Sequence, residues 1–284
     1  MIPNARELLE AGVHFGHKVS RSHPKMKPYI YGAKDGVQII DLNICEKMLR
    51  VALEYVENLG KNGGTIIFVG TKKQARPIVE ELAKEAGAYY LTHRWIGGFL
   101  TNFEEIQKNI KRLKSLKEQK EKGELGKYTK KEQLLIDRQI LKLTLDFAGV
   151  LDLEKIPDAL FIVDTVAERT AVNEAVKLGK TDQGKVVNVV AIADSNSDPT
   201  LIDYPIPGND DAIKSIRILT QAVAEAYKNG KALAGKAALR QEKKAAKKVA
   251  KETGAEALLE DVEIAAAEEE VEKEALKESE RKVE

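Results

Sequence analysis

The chain contains a single cysteine, Cys45, among its 284 residues, and this scarcity excludes two kinds of protein. One thiol cannot form an internal disulfide framework, and it cannot supply the paired cysteines of a structural zinc site. Disulfide-dependent proteins of oxidising compartments are therefore excluded, and we expect a reducing compartment such as the cytoplasm.

Long apolar runs are scarce as well. No stretch approaches the roughly 20 apolar residues that a membrane-spanning helix needs. The first residues, MIPNARELLEAG, lack the apolar centre of a signal peptide. We therefore expect a protein that is not secreted and has no membrane partner.

The sequence also lacks an excess of either charge, with 46 Lys and Arg against 45 Asp and Glu, so bulk charge does not attract a polyanion. Charge is instead arranged in blocks near the C-terminus. Residues 228–252 carry nine Lys or Arg and two Glu, whereas residues 253–284 carry four Lys or Arg and twelve acidic residues. Because these Ala/Lys/Glu-rich blocks lack an apolar face, we predict a charged, mobile C-terminal tail over residues 229–284.

What the sequence does contain is an alternation of strands and helices. Apolar runs rich in β-branched residues predict buried parallel strands, and apolar residues at helical spacing predict the helices. The predicted strands are Thr65–Val69, Ala88–Leu91, Ala159–Val163, Asn188–Ala193 and Tyr204–Ile206. The predicted helices are Asn4–Ala11, Asn43–Leu59, Lys72–Ala86, Ala167–Leu178 and Asp210–Tyr227. The alternation is typical of an α/β fold with a doubly wound parallel sheet, which we assign to residues 1–103 and 148–228.

One insertion, residues 104–147, interrupts this alternation. Two stretches with apolar residues at steps of three and four flank the turn KGELGKYTKKE. The apolar residues are Phe103, Ile106, Ile110 and Leu113, then Ile136, Ile140, Leu143 and Phe147. This spacing predicts an inserted antiparallel coiled-coil helical hairpin. From Glu104 to Lys142 it carries twelve Lys or Arg against seven acidic residues, so a polyanion is a candidate partner.

A basic segment near the N-terminus is a second candidate for polyanion binding. Between residues 18 and 34 it has no acidic residue, and one histidine and two tyrosines are interleaved with its cations. The cations are Lys18, Arg21, Lys25, Lys27 and Lys34. Because Gly and Pro recur, we predict an extended basic loop that ends in a short strand at Val37–Ile40.

The stretch GTKKQAR, Gly70 to Arg76, is a third candidate because it joins a predicted strand to a predicted helix. The N-terminus of a helix favours an anion, and Lys72, Lys73 and Arg76 add positive charge. Three interpretations stay open: a plain turn with solvated lysines, a contact with a nucleic-acid phosphate, or a nucleotide site. The nucleotide site is the weakest, because the second glycine of a phosphate loop is missing.

A fourth candidate is the stretch RWIGG, Arg94 to Gly98, which combines a planar cation, an aromatic ring and bare backbone. A phosphate can approach two glycines closely, and Arg can bind it with two hydrogen bonds. Trp95 and Phe99 can equally form a core plug that joins the hairpin to the sheet, and both roles are compatible. Thr101 or Asn102 is expected to cap the next helix.

Acidic residues and histidines offer two alternatives of another kind. Asp164 and Asp194, with Asp198 nearby, follow predicted strands and could hold magnesium or accept a phosphoryl group, or they could simply cap turns. The second alternative is a metal site made of His14, His17, His23 and Cys45. The stretch HFGH does not have the H-E-x-x-H spacing, so we predict no metal site.

Seven segments, in order along the chain, resemble the bacterial-type small-subunit ribosomal protein S-two (S2) family. They are LLEAGVHFGH, HPKMKPYI, IIDL, FVGTKKQA, RWIGGFLTNF, PDALFIVD and IDYPIPGNDDAIKSIRIL. The resemblance covers nearly all of residues 1–227 and departs from the family in the turn DSNSDP and in extra residues around Lys180–Val187. It implies a flavodoxin-like sheet with an inserted hairpin, and a nonenzymatic component of the small ribosomal subunit. It also implies that the partners are small-subunit ribosomal RNA and neighbouring ribosomal proteins, including ribosomal protein S-one (S1).

We therefore predict a cytoplasmic, ribosome-bound structural protein with no catalytic residue, cofactor or small-molecule substrate. The predicted RNA-binding residues are Lys18, Arg21, Lys25, Lys27, Lys72, Lys73, Arg94, Asn102, Lys108, Lys111, Lys114 and Lys117. Two other classes stay open: an enzyme that uses Asp164 and Asp194 on a phosphorylated substrate, and a protein-only adaptor that works through the hairpin.

Overall fold

The structure is a computed structural model that describes residues 2–181 and 184–253. It divides into two compact units, residues 1–232 and 233–284. The sheets and the candidate site lie in the first unit, and the described part of the second unit is helical.

Seventeen helices and strands are described. They are α1 (Ala5–Glu10), β1 (Phe15–Lys18), β2 (Ile30–Lys34), β3 (Val37–Ile40), α2 (Leu42–Lys61), β4 (Ile66–Val69), α3 (Arg76–Ala86), β5 (Tyr89–Leu91), α4 (Phe103–Glu121), α5 (Lys130–Phe147), β6 (Ala159–Ile162), α6 (Arg169–Lys177), β7 (Lys180–Thr181), β8 (Gly184–Lys185), β9 (Asn188–Ala193), β10 (Tyr204–Pro207) and α7 (Ile213–Thr253).

The main sheet has five parallel strands in the order β10-β9-β6-β4-β5. Counted among these strands alone, the order is 2-1-3-4-5, which is that of flavodoxin-like sheets. The predicted α/β fold with a parallel sheet is therefore confirmed. Its strands all point the same way, so the segments that follow β4, β6, β9 and β10 meet at one edge, where sheets of this kind bind their ligands.

Alternate residues of each central strand enter two separate cores, one on each face of the sheet. Ile66 and Phe68 of β4 pack with residues of α2, α3 and α7, whereas Ile67 and Val69 pack with residues of α4, α5 and α6. Both faces are covered, and for this reason the strands are continuous apolar runs in the sequence.

The strand β10 lies at one edge of the sheet and contains Pro205 and Pro207. Gly208, the next residue, donates its N–H to the carbonyl of Ala193 at the end of β9. Neighbouring residues of a strand turn their backbone groups to opposite sides, so the nitrogens of both prolines point away from β9. That is the side on which a strand tolerates proline.

The predicted extended basic loop between residues 18 and 34 is wrong, although the strand Val37–Ile40 is confirmed. The segment folds into an antiparallel sheet of three strands in the order β1-β3-β2, called here the N-terminal sheet. Short 3-10 turns at Val19–Arg21 and Pro24–Tyr29 join its strands. Proline is tolerated because Pro24 begins a turn, where its missing N–H is not needed.

Two predicted helix boundaries are also wrong. Helix α3 begins at Arg76 rather than Lys72, so both lysines of the GTKK stretch precede it. Helix α7 continues to Thr253 instead of ending at Tyr227, because the following Ala- and Lys-rich sequence has high helix propensity. The predicted mobile tail lies outside the described residues from residue 254 onward, as do residues 182 and 183 of the extra segment.

Helices α4 and α5 of the insertion pack against each other, and Lys120 Nζ lies 2.7 Å from Asp137 Oδ1 across them. The four apolar residues expected on the first helix are buried: Phe103, Ile106, Ile110 and Leu113. Of the four apolar residues expected on α5, Phe147 is buried, while Ile136, Ile140 and Leu143 are half-buried. A coiled-coil supercoil, and the treatment of hairpin and tail as separate domains, stay predictions.

Candidate functional site

The carboxyl edge of the parallel sheet gathers charged side chains from three strand ends. Lys72 follows β4, Asp164 follows β6, and Asp210 and Asp211 follow β10. The Lys72 ammonium lies 2.8 Å from Asp164 Oδ2 and 2.7 Å from both Asp210 Oδ1 and Asp211 Oδ1. Parallel strands bring these residues together although they are up to 139 positions apart. One cation is thus surrounded by three carboxylates.

Burial and charge act in opposite directions on Lys72 and Asp210. Burial works to lower the pKa of Lys72, but the neighbouring carboxylates, Asp210 first, outweigh it, and the pKa is raised. The pKa of the Asp210 carboxyl is raised to about 7, mainly by burial and then by the charges of Asp164 and Asp194, against the opposing effect of Lys72. Lys72 therefore stays protonated, and its charge is already neutralised by carboxylates of the protein itself.

His17 joins this group from β1. Its Nδ1 lies 3.1 Å from Asp194 Oδ2, and its Nε2 lies 3.5 Å from Asp211 Oδ2. The hydrogen bond with Asp194 raises the pKa of His17 despite the opposing effect of burial. The backbone N–H of His17 also donates to Ser195 Oγ at 2.8 Å. These contacts anchor the N-terminal sheet to the end of β9. We call Lys72, His17 and the carboxylates of Asp164, Asp194, Asp210 and Asp211 the edge cluster.

The three acidic residues considered for catalysis do not all meet. Asp164 and Asp194 belong to the edge cluster. Asp164 Oδ1 also accepts the N–H groups of Val166 and Ala167 in the turn before α6, whose N-cap is Glu168. Asp198 lies apart, where Lys25 Nζ is 2.9 Å from its Oδ2. The predicted turn role of Asp198 is confirmed by the N–H of Thr200, which donates to Asp198 Oδ1 at 3.0 Å.

The metal site considered for His14, His17, His23 and Cys45 is not assembled. Cys45 is buried in the apolar core on one face of the sheet, and burial raises the pKa of its thiol to about 12. His23 Nε2 instead lies 3.9 Å from Asp198 Oδ2. Within the described parts of the chain, only His17, Asp194 and Asp210 form a group of three that could share a metal ion.

The protein's own carboxylates occupy both positions where the sequence favours a bound anion. At the Gly70 turn, the Thr71 hydroxyl donates to the buried carboxylate of Glu168. At the Gly97–Gly98 turn, the carboxylate of Glu174 accepts the N–H of Gly98 at 2.7 Å and that of Leu100 at 3.0 Å. An external phosphate at the Gly97–Gly98 turn would have to displace the buried Glu174 carboxylate from these N–H groups.

Glu174 also explains the position of Trp95, and sequence reasoning missed it. The Trp95 Nε1–H donates to Glu174 Oε1 at 3.1 Å, while the ring packs beside Phe99 with centroids 5.2 Å apart. The sequence feature that could have indicated this role of Glu174 is its position among Ala171, Val172 and Ala175, which form the buried face of α6. An acid on such a face requires internal donors.

The twelve predicted RNA-binding residues divide by whether their charge is already paired. Five cations have carboxylate partners: Lys25 with Asp198, Lys72 with the edge cluster, Arg94 with Asp146, Lys108 with Glu105, and Lys114 with Asp152. Six others pair with no acidic side chain among the described residues: Lys18, Arg21, Lys27, Lys73, Lys111 and Lys117. Asn102 is exposed at the start of α4, and its side chain makes no capping hydrogen bond.

The outer face of the N-terminal sheet combines unpaired cations with exposed aromatic rings. Lys18 and Lys34 both lie opposite Val37, one on each side of the central strand β3. Tyr31 is 82% exposed and Phe15 is 50% exposed. Exposed rings beside cations suit a partner with flat bases and phosphates.

No helix in the described ranges is both long enough and apolar enough to cross a membrane.

Comparisons with known proteins agree on one family. A family model described as "Ribosomal protein S2" matches residues 8–230. The chain is 46% identical over 229 residues to "Small ribosomal subunit protein uS2" of Desulfatibacillum aliphaticivorans, covering 81% of this chain and 76% of that protein. It is 46% identical over 225 residues to the protein of the same name from Rhodospirillum rubrum, covering 79% of this chain and 83% of the relative.

Proposed function

The chain belongs to the ribosomal protein S2 family, and on this premise we propose that it is a structural constituent of the small ribosomal subunit that binds ribosomal RNA. The family consists of structural proteins, so the chain is not an enzyme. We place it in the cytoplasm, bound to the ribosome and supporting translation.

The observation that carries the RNA-binding proposal is the set of six unpaired cations. A phosphate contact releases counterions and adds affinity when the cation is not already neutralised by a carboxylate. Lys18, Arg21 and Lys27 lie on or beside the N-terminal sheet, whereas Lys111 and Lys117 lie on α4. We propose that these two surfaces bind the RNA backbone, while the folded body fixes their geometry.

Exposed aromatic rings support the N-terminal sheet as the more specific of the two surfaces. Unstacked bases of structured RNA pack on aromatic side chains, and such stacking contributes about 1–3 kcal/mol per base. Tyr31 is exposed on the N-terminal sheet, and Phe15, which packs against the His14 ring, leaves half of its side chain exposed. The five paired cations are weaker contributors, because a phosphate at each one would compete with a carboxylate.

Filter binding of the full chain to transcribed small-subunit ribosomal RNA, over a salt series, tests this surface. The variant Lys18→Ala/Arg21→Ala/Lys27→Ala should lower the slope of log K against log salt by about 2 to 3, because roughly one counterion is released per phosphate contact. The loss of affinity is then largest at low salt. The matched control, Lys25→Ala/Lys108→Ala/Lys114→Ala, removes the same charge from paired positions and should change the slope by less than half as much.

Equal slopes for the two triple variants would contradict the proposal that unpaired cations carry the binding. Sedimentation of a cell lysate through sucrose tests the broader assignment. We expect the chain to co-migrate with small subunits, and a chain that stays at the top of the gradient at low salt would contradict it.

We propose that neighbouring ribosomal proteins, including S1, contact the hairpin. The support is a strip of exposed leucines on α5, Leu134, Leu141 and Leu145, which recur at helical spacing. Leu141→Lys/Leu145→Lys should lower the amount of S1 that stays on washed small subunits, measured by quantitative mass spectrometry. Leu9→Lys, at an exposed leucine outside the hairpin, is the control. An unchanged amount of S1 on subunits that carry the double variant would contradict the proposal that S1 contacts the hairpin.

A further inference from the structure

The edge cluster contains three residues with the arrangement of metal ligands. One ring nitrogen of His17 and one carboxylate oxygen each of Asp194 and Asp210 lie within 4.8 Å of one another. His17 comes from β1, whereas the two aspartates follow β9 and β10. The sequence did not predict this group, because the distances depend on strand ends that meet only in the folded sheet.

An unsatisfied oxygen points to a missing partner at this position. The Asp210 side chain is completely buried, and its Oδ1 accepts a hydrogen bond from Lys72. Its Oδ2 has no hydrogen-bond partner among the described residues. Leaving a buried charged oxygen without a partner costs about 1–3 kcal/mol or more, so such atoms usually have a bound ion or water as partner.

The charge of the edge cluster also favours an additional cation. Four carboxylates face each other: Asp164, Asp194, Asp210 and Asp211. Lys72 supplies one positive charge, and His17 supplies a second only when it is protonated. The carboxylates thus outnumber the cations in a mostly buried site, and a dication compensates for the difference.

We propose that His17, Asp194 and Asp210 bind one divalent transition-metal cation of the Zn²⁺ type. One imidazole nitrogen and two carboxylate oxygens are ligands that Zn²⁺ accepts, with water in the remaining position. His17 Nδ1 and Asp194 Oδ2 are 3.1 Å apart. Two ligands at about 2.0–2.1 Å from a tetrahedral zinc ion are separated by about 3.3 Å.

Lys72 has a supporting role in this site. Its ammonium holds Asp210 Oδ1 at 2.7 Å, which leaves Oδ2 for the metal. Groups that orient a ligand in this way change metal affinity by roughly 10–100-fold. The bound ion would fasten the N-terminal sheet to the ends of β9 and β10, so it would act as a structural clamp.

The competing explanation is a protonated His17 that pairs with Asp194 and Asp211 without any metal. Metal analysis of the purified full-length chain separates the two. The protein is stripped with EDTA, incubated with Zn²⁺, Mn²⁺ or Mg²⁺ separately, desalted and analysed for bound metal. We expect about one equivalent of Zn²⁺, little Mg²⁺, and a melting temperature that rises with Zn²⁺ and falls again with EDTA.

Two variants and one control locate the ion. His17→Ala and the isosteric Asp210→Asn should each bind Zn²⁺ at least roughly tenfold more weakly by calorimetry. His23→Ala removes a nearby histidine outside the cluster and should bind like the parent chain. Circular dichroism checks that each variant is folded. If a variant does not fold, the test uses instead the Zn²⁺-dependent shift in melting temperature of the parent chain and of the His23→Ala control.

Three results would overturn the proposal. The first is a parent chain that retains no Zn²⁺ and shows no melting shift. The second is Zn²⁺ binding by the folded His17→Ala and Asp210→Asn chains that equals that of the parent chain (an adventitious ion only). The third is binding of Mg²⁺ in preference to Zn²⁺. The RNA-binding test uses other residues, so the two proposals fail independently.

Discussion

The carboxyl edge of the parallel sheet and the outer face of the N-terminal sheet both carry lysines, but these are paired with carboxylates at the edge and unpaired on the N-terminal sheet. At the edge, Lys72 is surrounded by three carboxylates, and the nearby turns are occupied by Glu168 and Glu174. On the N-terminal sheet, Lys18 pairs with no acidic group of the described chain. A lysine in a phosphate-loop-like sequence is therefore a poor indicator of phosphate binding unless its charge is unpaired.

Removing Lys72 should have the largest effect and gives the strongest test of this difference. Lys72→Ala leaves Asp164 and Asp210 without their cation in a buried place, so the free energy of unfolding should fall by about 3 kcal/mol. Urea denaturation with EDTA present measures it. The neighbouring Lys73 is exposed and unpaired, and Lys73→Ala should change the free energy by less than about 0.5 kcal/mol. Equal effects of the two substitutions on the free energy of unfolding would contradict the distinction between the paired Lys72 and the unpaired Lys73.

Glu174→Ala should rank next. Its carboxylate accepts hydrogen bonds from Trp95 Nε1 and from the backbone of Gly98 and Leu100, and all three donors lose their partner. We expect a loss of about 2 kcal/mol in the free energy of unfolding and a change in the fluorescence of Trp95, the only tryptophan. Glu174→Gln keeps an acceptor and should lose about half as much. Unchanged fluorescence in Glu174→Ala would contradict the role assigned to this side chain.

The pair Lys25–Asp198 should give a smaller, pH-dependent effect. Burial opposes ionisation of Asp198, but hydrogen bonds from Thr200 and Lys25 outweigh it and lower the pKa to about 2. A lowered pKa in the folded state contributes stability above about pH 4, which is lost as the pH falls towards 2. Lys25→Ala should therefore cost up to about 1 kcal/mol at pH 6 and less at pH 2.

His23 is the other titratable group near Asp198, so the same pH series in a His23→Ala background isolates the lysine. If the loss in free energy of unfolding caused by Lys25→Ala does not depend on pH, then the pairing with Lys25 does not lower the pKa of Asp198.

The smallest effect on stability is expected on the N-terminal sheet. Lys18→Ala, Arg21→Ala and Lys27→Ala should each change the free energy of unfolding by less than about 0.5 kcal/mol, because these side chains are exposed and unpaired. The same substitutions weaken RNA binding in our proposal. A large loss of stability in any of them would mean that the residue supports the fold instead.

The sequence predicted most of the parallel sheet because strands buried on both faces are apolar throughout, as in Ile66–Val69 and Ala159–Ile162. It missed the N-terminal sheet, because β1 and β2 pair with β3 across turns rich in Gly and Pro. Sequence reasoning brought Asp164 and Asp194 to one edge, since carboxyl ends of parallel strands meet there. Asp210 and Glu174 were missed, and His17 was considered only with other partners, because tertiary packing alone decides which side chains they meet.

The two prolines of β10 have a consequence for the chain before it reaches its partners. An exposed strand edge is a template on which another chain can add a strand, and this is a common start of aggregation. Pro205 and Pro207 remove the donors from that edge, so an incoming strand finds carbonyl groups but no N–H groups opposite its own acceptors. With Pro205 half-buried and Pro207 buried, this edge of the sheet is therefore a poor template for strand addition by another copy of the chain.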